Sequence, residues 1–394
     1  MPAGRYMEAF EATREALVNQ CQVIVVGGGI GGSAAALRAA QHGLTVAWIR
    51  GDAGTARASR ARYVYNVDNM IGVSGGIVQR KVLELLSGPE HAAAREAIAR
   101  AHFHIGVPEI VEDVTLRLTA DFADVATLID EKAIAARAGD TGFVVETDRG
   151  QGLRAGAVIL STGVMDRQPR VKLTTKGGKV VDDIRWIYPW ANAESLLYCI
   201  LCEGHLVRGT PVAVLGASDA AAQVALLLHE RYGVAVVLLG NGEALEARPE
   251  TLRLMDAYGV AFHGARLVEI LDGESGRKGE SLRGFRLEDG TQVPARFGMV
   301  AMGLHRVYND LALQLGAELD AGDGPEDARH VLVDDATSET SVRGLFAVGD
   351  MSRHRSGTPS LKQIYTAQEY AVRAVQAIDR RERAVRRARV LERR

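Results

Sequence analysis

The sequence predicts an α/β protein built from two Rossmann-like dinucleotide-binding domains, the second inserted into the first. Three observations predict it. A strand–glycine turn–helix–strand grammar occurs twice, at the length of a parallel βαβ unit. Each copy is followed by irregular strands with hairpin signals and closes on a short apolar strand ending in glycine. One further glycine-acid strand arrives only after the second copy is complete.

In the first copy, QVIVV (22–26) runs into GGGIGG (27–32), then the Ala-rich SAAALRAAQHG (33–43) and the strand LTVAWIR (44–50). In the second, PVAVLG (211–216) leads through ASDAAAQVALLLHERYG (217–233) to VAVVLLG (234–240). The hairpin signals are Thr147-Asp148-Arg149-Gly150 and Glu288-Asp289-Gly290, and the closing strands are VILSTG (158–163) and MVAMG (299–303). The late strand is GLFAVGD (344–350). The resulting division is an N-terminal helical extension (1–20), a first domain in two parts (21–165 and 296–380), an inserted second domain (166–295) and a basic tail (381–394). Tyr6, Phe10 and Leu17 give the extension an apolar helical face.

A chain of 394 residues can bury two cores. With 47% hydrophobic residues, 24% charged and a net charge of −2, it has no field to draw nucleic acid. No apolar run approaches the ~20 residues of a membrane span, and the N-terminus lacks the apolar core of a signal peptide. Three cysteines make no disulfide scaffold. The expectation is a cytoplasmic protein. The final stretch, RRERAVRRARVLERR (380–394), holds eight arginines. It reads as a solvated helix end, with peripheral contact to anionic lipid or an acidic partner as the alternative.

Gly27, Gly29 and Gly32 form G-x-G-x-x-G between a strand and a helix. The first permits the tight turn, the second lets backbone approach a pyrophosphate, and the third lets helix pack on strand. The helix N-terminus supplies the amides and partial positive charge for the phosphates. The acid that would hold a ribose about twenty residues on is displaced. Arg50 and Gly51 stand at the strand end with Asp52 beyond, which weakens the case for NAD and leaves FAD open. The second copy keeps only Gly216 of the motif, and its strand ends in Gly240-Asn241-Gly242-Glu243. That end has neither the cations a 2′-phosphate needs nor an acid on the strand itself.

Two of the three cysteines lie in LLYCILCEGH (196–205). Zinc wants four ligands, and only Cys21 and His205 are at hand, so no metal site is expected. A buried structural pair suits the apolar run. A redox disulfide explains more: Cys-x-x-Cys closes a small ring, a turn or helix start lowers one thiol pKa, and Glu203 is placed to carry a proton. The upstream dinucleotide motif then suggests a flavin as electron partner.

Over roughly residues 21–380 the chain resembles the low-molecular-weight thioredoxin reductase family of flavoproteins. GGGIGG, ILSTGV (159–164), Cys-Ile-Leu-Cys-Glu-Gly before PVAVLG, and AVGD (347–350) followed by Lys362-Gln363-Ile364 carry the resemblance. It implies FAD in the first domain and makes Cys202 the sulfur that faces the flavin as charge-transfer thiolate. Cys199 becomes the interchange thiol that meets an external disulfide, and Glu203 stands where the family has its acid–base Asp. Gly27, Gly29, Gly32, Thr162, Gly163, Gly349, Asp350 and Gln363 fall on FAD-contacting positions. Asp350 would bond a ribityl hydroxyl, and Gln363 would lie beside the isoalloxazine at a helix start. A small redox protein or thiol is the implied partner, and a homodimer the implied assembly.

Two departures bear on electron supply. The family's His-Arg-Arg-x-x-x-Arg clamp for NADPH is replaced in register by Gly240, Asn241, Gly242 and Glu246, which disfavours NADPH while Glu243 leaves NADH open. The link before the cysteines, DDIRWIYPWANAESLLYC (182–199), is longer than the family's and carries Trp186, Tyr188, Trp190 and Tyr198. These rings read as a packing segment or dimer contact, or else as a stacking site for a planar ligand near Gly216. Pyridine-nucleotide-independent relatives, including diflavin-linked disulfide oxidoreductases, hold a second FAD beside the disulfide, and this branch is the preferred expectation.

Overall fold

A computed structural model describes residues 20–392 except 68, 102, 140, 175–176, 184–186, 274–280 and 323. The chain divides into two compact units, one of residues 1–165 with 306–394 and one of residues 166–305. The expected N-terminal helical extension lies outside the described residues, as does Trp186.

The first unit opens with β1 (Gln20–Val26), α1 (Ile30–Gln41) and β2 (Val46–Ile49). Every residue of β2 is buried, as a central parallel strand requires. Helix α2 (Val107–Asp121) leads to β3 (Ala126–Ile129), and β4 (Ala133–Gly139), β5 (Gly142–Thr147) and β6 (Gly152–Leu160) follow as a meander. The turn expected at Thr147–Gly150 joins β5 to β6, with Gly150 N–H donating to Thr147 O at 3.0 Å.

In the second unit β7 (Leu196–Leu197) precedes the four-residue helix α3 (Ile200–Glu203). Then come β8 (Val212–Leu215), α4 (Asp219–Tyr232), β9 (Val236–Leu239), β10 (Ala261–His263) and β11 (Phe297–Val300). They make a five-stranded parallel sheet in the order β7-β11-β8-β9-β10. The chain returns to the first unit at Arg306 rather than at residue 296. The reason is β11, which pairs with β8 and β7 and so belongs to the inserted sheet.

The first unit closes with β12 (Leu345–Ala347) and helix α5 (Ile364–Glu392). β6 is long enough for two neighbours on one side. Its first half pairs antiparallel with β5, from Phe143↔Ala155 to Glu146↔Gly152, and its second half pairs parallel with β12, Leu345↔Val158 to Ala347↔Leu160. The seven-stranded sheet runs β3-β2-β1-β6-β5-β4 with β12 beside β6. Helix α5 packs Tyr370, Ala371, Ala374, Val375 and Ile378 onto the core formed by Val23, Val25, Trp48, Ile159 and Phe346. The tail expected at 381–394 is no separate segment, because α5 continues unbroken to Glu392.

Candidate active site

In the first unit the site begins at one edge of the sheet. Val26, Leu160 and Ala347, the last residues of β1, β6 and β12, stand in register across three parallel strands. The turns that leave them, Gly27–Gly29, Ser161–Gly163 and Val348–Asp350, therefore share one edge, which in open parallel sheets is the ligand-binding edge. Gly27 has φ +126°, and a Cβ there would collide with the carbonyl of Ser161. A Cβ on Gly32 would run into the carbonyl of Gly27. Trp48 Nε1 donates to that same carbonyl at 2.8 Å and fixes the turn from below. Ser161, buried and unremarkable in the sequence, is the hub: an added Cβ at Gly27 or Gly31 would strike it, and one at Gly349 would lie 3.9 Å from its hydroxyl.

Whether these residues suit a dinucleotide can be tested on α1. Its N-cap is Gly29, no side chain caps it, and no acid stands in its first turn. A Cβ on Gly29 would meet only Ala61, at 3.6 Å, and one on Gly163 would enter open space. First-turn amides uncapped by a side chain, with room above them, form the cradle a pyrophosphate needs. FAD fits. Thr162 Oγ1 donates to the carbonyl of Tyr308, whose own N–H donates to Gly163 O at 3.0 Å, so both residues sit in a fixed turn.

Asp350 accepts a 2.8 Å hydrogen bond from Arg60 Nη1, a partner the sequence did not suggest across 290 positions. Lys362 Nζ bonds the carbonyls of Asp350 and Ser352, the latter at 3.1 Å, and burial pulls its pKa down to about 8. Gln363 is buried immediately before α5, its Oε1 taking a 2.7 Å bond from Asn69 Nδ2. The Lys-Gln pair thus ties the Asp350 turn to the start of α5.

In the second unit Cys199 and Cys202 form a disulfide, with Cα atoms 5.2 Å apart. Cys199 is the N-cap of α3 and its sulfur accepts from Cys202 N–H at 3.2 Å. Glu203 folds back: its Oε2 accepts from the amides of Tyr198 at 2.8 Å and Cys199 at 3.1 Å. The residue expected to carry a proton is therefore also the clamp that shapes the cysteine turn. Leu201, between the two cysteines, is 49% exposed and makes the outer rim apolar. Cys21 is buried with its thiol pushed up to about 11 by burial, so it is no nucleophile. Among the described residues no cluster of His, Cys, Asp or Glu is placed to hold a metal.

The aromatic segment divides. Trp190 is buried in a core with Ile187, Leu196 and Phe285, while Tyr188 and Tyr198 pack against that core half-exposed. Tyr198 O–H donates to Gln168 Oε1 at 2.7 Å. Trp190 is a packing residue. The Tyr188 and Tyr198 rings keep partly open surface.

Leu215, Leu239 and Val300 stand in register, so Gly216, Gly240 and Ala301 share the corresponding edge of the second sheet. Ser218 and Ala221 replace the motif's later glycines, and Ser218 Oγ accepts from Ala221 N–H at 3.3 Å. Asn241 is a turn clamp, accepting from Leu267 N–H at 2.7 Å and donating to Arg170 O at 2.9 Å. Three arginines do reach this corner from distant sequence. Arg167 faces Glu243 at 3.8 Å, and Arg170 and Arg266 both face Asp182, at 3.7 and 3.4 Å.

The profile of the pyridine nucleotide-disulphide oxidoreductase family matches residues 21–371. The chain belongs to this family. It is 27% identical over 331 residues to the bifunctional thioredoxin reductase/thioredoxin of Mycobacterium leprae, covering 84% of this chain and 60% of that one. It is 25% identical over 361 residues to an alkyl hydroperoxide reductase component of Xanthomonas campestris pv. phaseoli, 91% of this chain and 56% of that one. Against NADPH-dependent thioredoxin reductase 3 of Arabidopsis thaliana it is 28% identical over 217 residues, 54% of this chain and 36% of the plant protein. The chain thus spans roughly a third to three fifths of these curated relatives. The crystal structure of the thioredoxin reductase TrxB from Bacillus anthracis superposes with a TM-score of 0.67 at 17% identity, over 93% of this chain and 99% of that one. Thioredoxin reductase from Streptococcus pyogenes gives 0.67 at 19% identity, over 92% and 97%. The fold is the two-domain Rossmann-type fold seen in these thioredoxin reductase structures, and FAD is the cofactor expected of an enzyme of the pyridine nucleotide-disulphide oxidoreductase family.

Proposed function

We propose that this pyridine nucleotide-disulphide oxidoreductase exchanges electrons between FAD and the Cys199–Cys202 disulfide, and between that pair and an external thiol or disulfide, without NADPH. The observation that carries the reading is the end of β9. There Asn241 is committed to holding the turn and Glu243 places a carboxylate, while the arginines nearby are matched to Asp182 and Glu243. A 2′-phosphate would have to break those pairs to be bound.

When bound, FAD supplies two-electron exchange with the disulfide. The uncapped N-terminus of α1 would hold the pyrophosphate, and Asp350, steadied by Arg60 and Lys362, would accept from a ribityl hydroxyl. Two electrons and two protons open the Cys199–Cys202 bond to a dithiol. Cys202 is the sulfur that serves the flavin; Cys199 attacks or is released from the external sulfur, and Glu203 carries the proton exchanged there. The half-exposed Tyr188 and Tyr198 support a second planar ligand in this unit, a second FAD in our reading. The partner is a small redox protein or dithiol that meets the apolar rim at Leu201, and the working assembly is a homodimer.

A second reading, NAD(P)H-dependent reduction, is favoured by Arg167, Arg170 and Arg266, which arrive where the family's own arginines are missing. Anaerobic titration of the FAD-loaded protein with NADPH, NADH and dithiothreitol decides between them. The expected outcome is bleaching of the flavin band by dithiothreitol in the wild type but not in Cys202→Ser, with neither nucleotide effective. Bleaching at stoichiometric NADPH or NADH would establish the second reading instead.

A further inference from the structure

The last turns of α5 leave the body of the first unit. The final side chains anchored to it are Arg381, bonded to Glu339, and Glu382, which accepts from Gln22 Nε2 at 2.9 Å. From Arg383 to Glu392 every residue is exposed. This is about 15 Å of helix with no packing from its own unit among the described residues. Helices in water owe most of their stability to a packed face, so ten residues without one call for a surface to lie on.

The side chains show what kind of surface. At helical spacing Ala384, Val385, Ala388 and Leu391 fall on one stripe, with Val385 47% and Leu391 71% exposed. Arg383, Arg386, Arg387 and Arg389 occupy the remaining arc together with Val390, 55% exposed, and the single acid, Glu392, lies on the stripe side at the end of the helix. Arg383 is paired with Asp379 at 3.0 Å. Among the described residues Arg386, Arg387 and Arg389 have no ion-pair partner. A convex rod with an apolar stripe flanked by unpaired guanidinium groups suits a flat, negatively charged interface. The stripe enters the acyl boundary and the arginines spread over the headgroups.

We propose that residues 383–392 dock this protein peripherally onto an anionic lipid bilayer. The test is co-sedimentation of the full-length protein with phosphatidylcholine vesicles and with vesicles of equal parts phosphatidylcholine and phosphatidylglycerol. Binding is expected only to the anionic vesicles, and to weaken as salt is raised. The triple variant Arg386→Gln, Arg387→Gln, Arg389→Gln should weaken it at least roughly tenfold. Leu391→Ser should weaken it several-fold while leaving the salt dependence unchanged. These residues touch neither core nor cradle, so flavin content and dithiol reactivity serve as controls for folding. Absence of binding to anionic vesicles, or equal binding by the triple variant, overturns the proposal. So does loss of a dimer in the triple variant without vesicle binding, which would assign the stripe to a second copy of the chain.

Discussion

At Glu203 an observed clamp on the backbone meets a proposed proton carrier. Its carboxylate holds the amides of Tyr198 and Cys199 at the start of the cysteine turn. Glu203→Gln keeps an acceptor oxygen for those amides but cannot carry a proton. The expected result is a fall of about a hundredfold in the rate of exchange with an external disulfide, with the melting temperature little changed. Stopped-flow mixing of the reduced protein with a disulfide substrate measures it. An unchanged rate would leave Glu203 as a clamp alone. The acid itself was legible in the sequence because it follows Cys202 directly. The clamp was not, because it depends on the chain turning back through α3.

Among the elements, the β1–turn–α1 unit was the most legible, since its glycines answer to local geometry. Gly32→Ala tests that legibility: the new Cβ would meet the carbonyl of Gly27, so strand and helix must move apart. The purified variant is expected to lose most of its bound flavin, seen as a collapse of visible absorbance relative to the protein band. Retention of full flavin would mean the turn relaxes without harm. The aromatic segment was less legible. A Trp in a link reads alike whether it meets a ligand or a core, and only the packing with Ile187, Leu196 and Phe285 places Trp190 in the core. Arg60 and Ser161 escaped notice because their partners are brought near by the sheet rather than by sequence.

For the molecule as a whole, the pH dependence of stability has an identifiable source. His330 is nearly buried, its Nε2 finds no hydrogen bond among the described residues, and burial lowers its pKa from 6.5 to about 4. Nearby Lys362 and Arg353 push the same way, and Asp320 opposes them. The unfolded chain therefore binds a proton below 6.5 that the folded one refuses until about 4. Stability present above pH 6.5 is lost as the pH falls through that window, by roughly 3 kcal/mol at the lower end. Denaturant melts at pH 7 and at the acid edge should show His330→Asn losing less than the wild type between the two. Parallel losses would point to other groups. At this scale the two-unit plan was readable from the repeated grammar. The return point was not, because residues 296–305 join the second unit through strand pairing and core packing with partners distant in sequence.

The pairing of β12 with β6 also sets an order of events during synthesis. Leu345 lies beside Val158, yet the ribosome makes the whole inserted unit, residues 166–305, between them. The nascent first unit must wait with one flank of β6 open while its guest folds, and three residues proposed to hold the flavin, Gly349, Asp350 and Gln363, have yet to be made. On the proposed reading flavin capture is completed late, and a chain that stalls inside the insertion emerges with its cysteine turn and the α1 turn but without the Asp350 turn that would close the site.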